Sequence, residues 1–163
     1  MKVTAVYSGS FDPITCGHVD IIERASKMYK NIRVVILVNK EKKYMFSTEE
    51  RTEMIKKTTS HLKNVTVESY PGLLVDYCDK NDINVVIRGL RMMSDFEAEL
   101  QMAHINYFLS GKKVDTVFLS TNTKYSYISS SAVKEIFSFG GNVHGLVPEI
   151  VEEFLSKKNI KKA

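Results

Sequence analysis

Apolar runs of strand length alternate with segments of helical period from one end of the chain to the other. VTAVYS (3–8) reads as a strand, and the three- and four-residue spacing in HVDIIERASKMY predicts a helix over about 17–29. IRVVILV (32–38) is a β-branched run followed by a helix over about 48–59. VTVES (65–69) precedes a short helix near 73–80, and NVVIRG (84–89) a long one near 94–109. VDTVFLS (114–120) precedes a helix near 130–138 that stops at Gly140-Gly141, and Pro148 opens the last helix, PEIVEEFLSKK. Ser47 with Glu50, and Ser94 with Glu97, have the spacing of capping boxes, in which each residue satisfies an orphan amide of the other.

Five strands separated by helices predict an α/β fold: a doubly wound, Rossmann-like parallel sheet of five strands with helices on both faces. Parallel strands are covered on both sides, which accounts for the nearly unbroken apolar runs IRVVILV and NVVIRG. With no repeat and no linker, residues 1–163 are expected to form one domain, with a C-terminal helix and basic tail from about 148. Ligands of such sheets sit beyond the carboxyl ends of the strands, where the strand order reverses. The loops after strands one, two, four and five are therefore the ones to search.

Composition narrows the field. Hydrophobic content of 44% and charged content of 26% over 163 residues are ordinary for a soluble domain. The start, MKVTAVYSGS, lacks the apolar segment of a secretory signal, and no window approaches the roughly 18 apolar residues of a membrane span. A soluble, cytoplasmic protein with no membrane partner is expected. The net charge of +4 is matched by Lys157, Lys158, Lys161 and Lys162 near the C-terminus, leaving a body near neutral and no basic stripe for nucleic acid. Cys16 and Cys78 suit neither a zinc site nor a disulfide framework, and Cys16 reads as an unreactive small side chain.

The four loops each offer groups for an anion. YSGSFDPITCGH (7–18) follows strand one and is neither of the familiar glycine-rich phosphate loops. Its Gly9 allows close backbone approach, and Gly17 and His18 fall at a helix start, where free amides and the dipole favour negative charge. His18 reads either as a helix-capping polar residue or as a donor to that anion, and its setting favours the second. After strand two, Lys40, Lys42 and Lys43 stand at the edge, and position alone does not choose among them. Arg88 ends an apolar strand and Arg91 follows, so these charges must meet phosphate or pair with Asp95 or Glu97. Ser129, Ser130 and Ser131 open a helix with more hydroxyls than a cap requires. No acidic pair and no activated nucleophile accompanies them, which points to phosphoryl or nucleotidyl transfer by positioning and charge stabilisation.

These residues carry a resemblance. GSFDPITCGH resembles the T/H-x-G-H signature of the nucleotidyltransferase superfamily, and ISSSAVKE its I-S-S-[ST]-x-x-[KR] segment. VVIRGLRMMSDFEAELQMAHIN and EKKYMFSTEER are similar to segments of the bacterial phosphopantetheine adenylyltransferases, over nearly the whole chain. The resemblance implies transfer of AMP from ATP to 4′-phosphopantetheine with Mg2+, giving dephospho-coenzyme A and pyrophosphate. It also implies a homohexamer and feedback by coenzyme A. His18 would stabilise the transition state at the α-phosphate, with Lys42 and Ser10 beside it. Ser10, Lys42, Leu74 and Arg88 would bind phosphopantetheine. Ser10, Phe11, His18, Gly89, Leu90, Arg91 and Glu99 would contact ATP, together with Tyr125, Ser126, Tyr127, Ile128, Ser129, Ser130 and Ser131. No protein ligand to the metal is implied, the phosphates holding most of it. Tyr125 occupies a position that is often tryptophan, and Cys16 one that is often asparagine. Another nucleotidyltransferase, acting on nicotinate mononucleotide or glycerol phosphate, would share both signatures but not the IRGLR segment. A non-catalytic nucleotide-binding module would have no use for His18 or for a second basic set.

Overall fold

The computed structural model describes residues 3–160. Its strands are β1 (Thr4–Gly9), β2 (Asn31–Leu37), β3 (Val65–Tyr70), β4 (Val85–Leu90) and β5 (Asp115–Ser120). The helices are α1 (Cys16–Met28), α2 (Thr48–Thr58), α3 (Leu74–Lys80), α4 (Met93–Leu109), α5 (Ser130–Ser138) and α6 (Glu149–Ile160), with a 3₁₀ turn at Thr123–Tyr125. All pairings are parallel, in the order β3-β2-β1-β4-β5. The basic tail expected at the end extends to Lys161 and Lys162, which lie outside the described residues.

Alternation along the strands divides the core between the two faces, because successive side chains of a strand point opposite ways. Ala5, Tyr7, Val34, Ile36 and Ile87 pack with Ile21 and Ile22 of α1, Met54 and Ile55 of α2, and residues of α5 and α6. Val6, Val35 and Val86 turn to the other face and meet Leu74, Tyr77 and Cys78 of α3. Helix α4 packs lightly: Asn106 is its only buried residue, and Met93 and Phe108 are 81% and 77% exposed.

Ser47 and Glu50 form the expected box at α2, with bonds of 3.2 and 2.7 Å. The box expected at Ser94 and Glu97 does not form. Helix α4 begins one residue earlier, its N-cap is Met92, and no side chain caps it. Instead Asp95 accepts the Arg91 backbone amide and guanidinium. Phe137 lies in the core and Phe139 is 85% exposed.

The sheet also builds the site. The strand order reverses between β1 and β4, and their pairing stops at Val6–Val86 and Tyr7–Ile87. On the outer sides pairing continues, to Gly9–Ile36 and to Leu90–Ser120. The two central strands therefore part at their carboxyl ends, and a crevice opens at the topological switch point.

Candidate active site

Two lobes open from this crevice. The first, of about 410 Å3, runs between the loop after β1, the start of α4 and the start of α5. The second, of about 850 Å3 and more apolar, runs beneath the Lys42 loop toward Leu74 and α4. Ser8, Gly9, Ser10, Arg88 and Glu99 line both lobes and form the wall between them. Pro71, Gly72 and Leu73, in the loop after β3, also line the second lobe. That loop was not among the four that the sequence singled out.

His18 is the third residue of α1 and takes the helix-capping role considered for it, while its ring borders the first lobe. Thr15 is the N-cap, and its backbone amide donates to His18 Nδ1 at 3.0 Å. Since Nδ1 accepts, the proton of the neutral ring sits on Nε2. The ring stands edge-on to Phe11, with centroids 5.2 Å apart, and borders the first lobe. Desolvation, then Arg91, then Arg88, hold its pKa down to about 4. At neutral pH it is an uncharged hydrogen-bond donor rather than a base or a cation.

The loop holding Ser10 is tightly determined. Phe11 adopts a positive φ of 47°, and its ring lies where a Cβ on Gly9 would approach to 3.2 Å, so that position favours glycine. The Asp12–Pro13 bond is cis. Asp12 is 2% exposed, accepts the amides of Met45 and Phe46 at 3.0 and 2.9 Å, and pairs with Lys134 at 3.0 Å. Ser8 Oγ, also buried, has no hydrogen-bond partner among the described residues and stands on the wall between the lobes.

Both arginines find carboxylates, though for Arg88 not one of those expected. Arg88 lies within β4, which continues to Leu90, rather than at its end. It binds Glu99 through two bonds of 2.5 and 2.7 Å and donates to the Ser8 carbonyl at 2.8 Å, bridging the parted strands. Arg91 pairs with Asp95 at 2.9 and 3.0 Å and donates to the Ile128 carbonyl. Both guanidiniums are thus held in fixed orientation by planar two-point pairing.

At α5 the hydroxyl surplus shrinks. Ser129 caps the helix by accepting the Ala132 amide, and Ser130 donates to the Pro13 carbonyl at 2.8 Å. Ser131 is left exposed, and the Ser130 and Ser131 amides remain as donors beside the first lobe.

The expected residues therefore sort by place. His18, Phe11, Gly89, Arg91, Ile128, Ser129, Ser130 and Ser131 border the first lobe, Lys42 and Leu74 the second, and Ser10, Arg88 and Glu99 both. Leu90, Tyr125, Ser126 and Tyr127 border neither. Tyr125 packs on the core, Ser126 bonds the Thr123 carbonyl, and Tyr127 is 68% exposed. Sequence reasoning missed Thr15, Ser8, Asp12 and Lys134. For Thr15 the signal was present, a cap residue three before His18. Asp12 and Lys134 are 122 residues apart, and nothing local joins them.

A polar lobe with a helix-start histidine, joined across basic residues to a more apolar lobe, defines a nucleotidyltransferase. A cytidylyltransferase-like family model matches residues 6–136, and the chain belongs to that family, with the phosphopantetheine adenylyltransferases as its close relatives. It is 53% identical over 154 residues to the phosphopantetheine adenylyltransferase of Clostridium novyi, covering 94% of this chain and 95% of the relative. The enzyme of that name from Clostridium botulinum (strain Eklund 17B) is 49% identical, with coverage of 98% and 100%. That from Desulfatibacillum aliphaticivorans is 46% identical, with coverage of 97% and 90%. A solved Vibrio parahaemolyticus structure, described as a nicotinate-nucleotide adenylyltransferase, superposes with a TM-score of 0.70 at 15% identity, covering 95% of this chain and 99% of that one. That likeness shows the shared fold.

Proposed function

We infer that the protein transfers AMP from ATP to 4′-phosphopantetheine, forming dephospho-coenzyme A and releasing pyrophosphate. One observation carries the reading: two lobes of different polarity share a wall of Ser10, Arg88 and Glu99. ATP would occupy the first lobe, its phosphates toward the starts of α1 and α5. The pantetheine arm would lie along Leu74 in the second, with its phosphate toward Lys42 and Arg88.

The chemistry follows from charge. A phosphate oxygen of the acceptor attacks the α-phosphorus of ATP, a new P–O bond forms, and the bond to the bridging oxygen breaks as pyrophosphate leaves. The attacking oxygen is already anionic, so no base is needed, and a neutral His18 suits that. Its Nε2–H donates to the α-phosphate as charge builds there, an interaction stronger in the transition state than before it. Together the substrates bring roughly six negative charges, so holding them in line is much of the catalysis. Mg2+ would screen the phosphates. The ion would be carried largely by ATP oxygens and water.

The resemblance adds assembly, regulation and location. The exposed α4 residues Met93, Phe108 and Leu109 suit self-association into a homohexamer, which sedimentation would test. Coenzyme A carries both pantetheine and adenylate and would compete at the same cleft, giving feedback. Among the described residues no helix is long and apolar enough to cross a membrane, and we read the enzyme as cytoplasmic. The deciding experiment is pyrophosphate release from ATP with 4′-phosphopantetheine, nicotinate mononucleotide and glycerol phosphate in turn. Release with the first alone supports the reading, and release with either other acceptor instead overturns it.

A further inference from the structure

Among the described residues the largest fully buried side chain is a cation beside the site. Arg51, on α2, is 1% exposed. Among the described residues its guanidinium makes no ion pair, and its hydrogen bonds go to neutral oxygens. Nη1 donates to the Ser10 carbonyl at 2.8 Å, Nε to the Ser47 carbonyl at 3.3 Å and Nη2 to the Thr48 hydroxyl at 3.2 Å. Its face lies over the Tyr44 ring, 4.1 Å from the centroid. Burying a charge without a counter-charge is unfavourable, and an apolar side chain would fill the space with less penalty. Packing alone therefore does not account for an arginine here.

What Arg51 touches does account for it. The Ser10 carbonyl belongs to the peptide that leads into Phe11, whose φ of 47° is a left-handed conformation rare for a bulky residue. Such a conformation persists only where the surroundings over-determine it. The bond from Arg51 fixes that peptide plane, and with it Ser10, which borders both lobes. On its other side Arg51 carries Tyr44, whose hydroxyl accepts the Asn39 amide at 3.2 Å. The Asn39 carbonyl in turn accepts the Lys42 amide at 3.2 Å. One guanidinium thus supports both the serine on the dividing wall and the turn that presents the lysine of the second lobe.

We propose that Arg51 is a positioning residue that sets Ser10 and Lys42 relative to one another, aligning the acceptor phosphate with the nucleotide. The proposal rests on the reading of the cleft as a site for ATP and a phosphomonoester. Only arginine offers three donors in a rigid fork together with a flat face to stack, so lysine is not an equivalent substitute.

The test is Arg51→Lys, read by steady-state kinetics with 4′-phosphopantetheine and by amide hydrogen exchange. Loss of charge-assisted bonds predicts a KM for the acceptor raised about tenfold and a kcat lowered about tenfold, with the KM for ATP within about twofold. The amides of Asn39 and Lys42 and those around Ser10 should exchange faster, while β3 keeps its protection. Unchanged kinetics, or equal increases in both KM values with loss of protection throughout, would overturn the proposal. If Arg51→Lys does not fold, Tyr44→Leu decides. It should raise the acceptor KM and loosen only the Asn39–Tyr44 turn, and an unaltered acceptor KM refutes the link. Should the wild type fail to use 4′-phosphopantetheine, the substrate reading falls. The exchange pattern then still decides Arg51, since loosening of both segments supports its role and loosening of neither or of one refutes it.

Discussion

The protonation state of His18 is the most exposed point of the mechanism. Desolvation and the two nearby arginines hold its pKa to about 4, and the Thr15 amide at 3.0 Å occupies Nδ1. At pH 5.5 a histidine titrating at 4 is about 3% protonated, whereas one at the ordinary 6.5 would be about 90% protonated. Nitrogen-15 NMR of the unliganded protein labelled at histidine should therefore show, for His18, a neutral ring with its proton on Nε2 down to pH 5. The His18→Ala variant identifies the signal. Stability has a matching sign. The unfolded chain takes up this proton near pH 6.5 and the folded chain only near 4, so the contribution is complete above about 6.5 and is lost as pH falls toward 4. The loss is at most about 3 kcal/mol, and less because the cleft-facing edge of the ring meets water. His18→Ala should lower kcat by roughly a hundredfold to a thousandfold, the range for losing one donor to a developing oxyanion, while ATP binding changes little. A titration midpoint near 6.5, a proton on Nδ1, or near-normal turnover in His18→Ala would each refute this account.

Other outcomes follow from single features. Asp12→Asn removes the charge that pairs with Lys134, whose side chain is 32% exposed, and should destabilise the fold by about 2 kcal/mol in urea titration, less than for a fully buried pair. Lys42→Ala should raise the KM for phosphopantetheine with little change in that for ATP, and an effect confined to ATP would contradict the assignment of the second lobe. Ser47→Ala deletes half of a reciprocal cap and should cost about 1 kcal/mol by thermal denaturation. Cys78, fully buried with its thiol pushed up to about 11, should resist alkylation at pH 8 in the folded protein, measured by mass shift.

Much of the site was legible in local pattern. Strand and helix limits fell within a residue or two, because burial on both faces demands unbroken apolar strands while amphipathic helices show their period. Pattern misled where tertiary contacts competed for the same groups. Ser94 and Glu97 had the spacing of a cap, but α4 starts earlier and the neighbouring carboxylate at Asp95 is claimed by Arg91. The α5 serines border the first lobe as a set, but packing and capping decided that Ser130 donates to the Pro13 carbonyl and Ser129 accepts the Ala132 amide.

The sequence by itself determined the five-stranded parallel sheet, the loops that carry the site and the histidine at the helix start, since these depend on periodicity and on residues near one another in the chain. Tertiary structure alone decided the parting of β1 from β4, the pairing of Arg88 with Glu99, the neutral state of His18 and the buried contacts of Arg51. Each of those depends on desolvation or on groups brought together by packing. GSFDPITCGH showed where a phosphate could bind, and the fold determined the charge state of the histidine at that place.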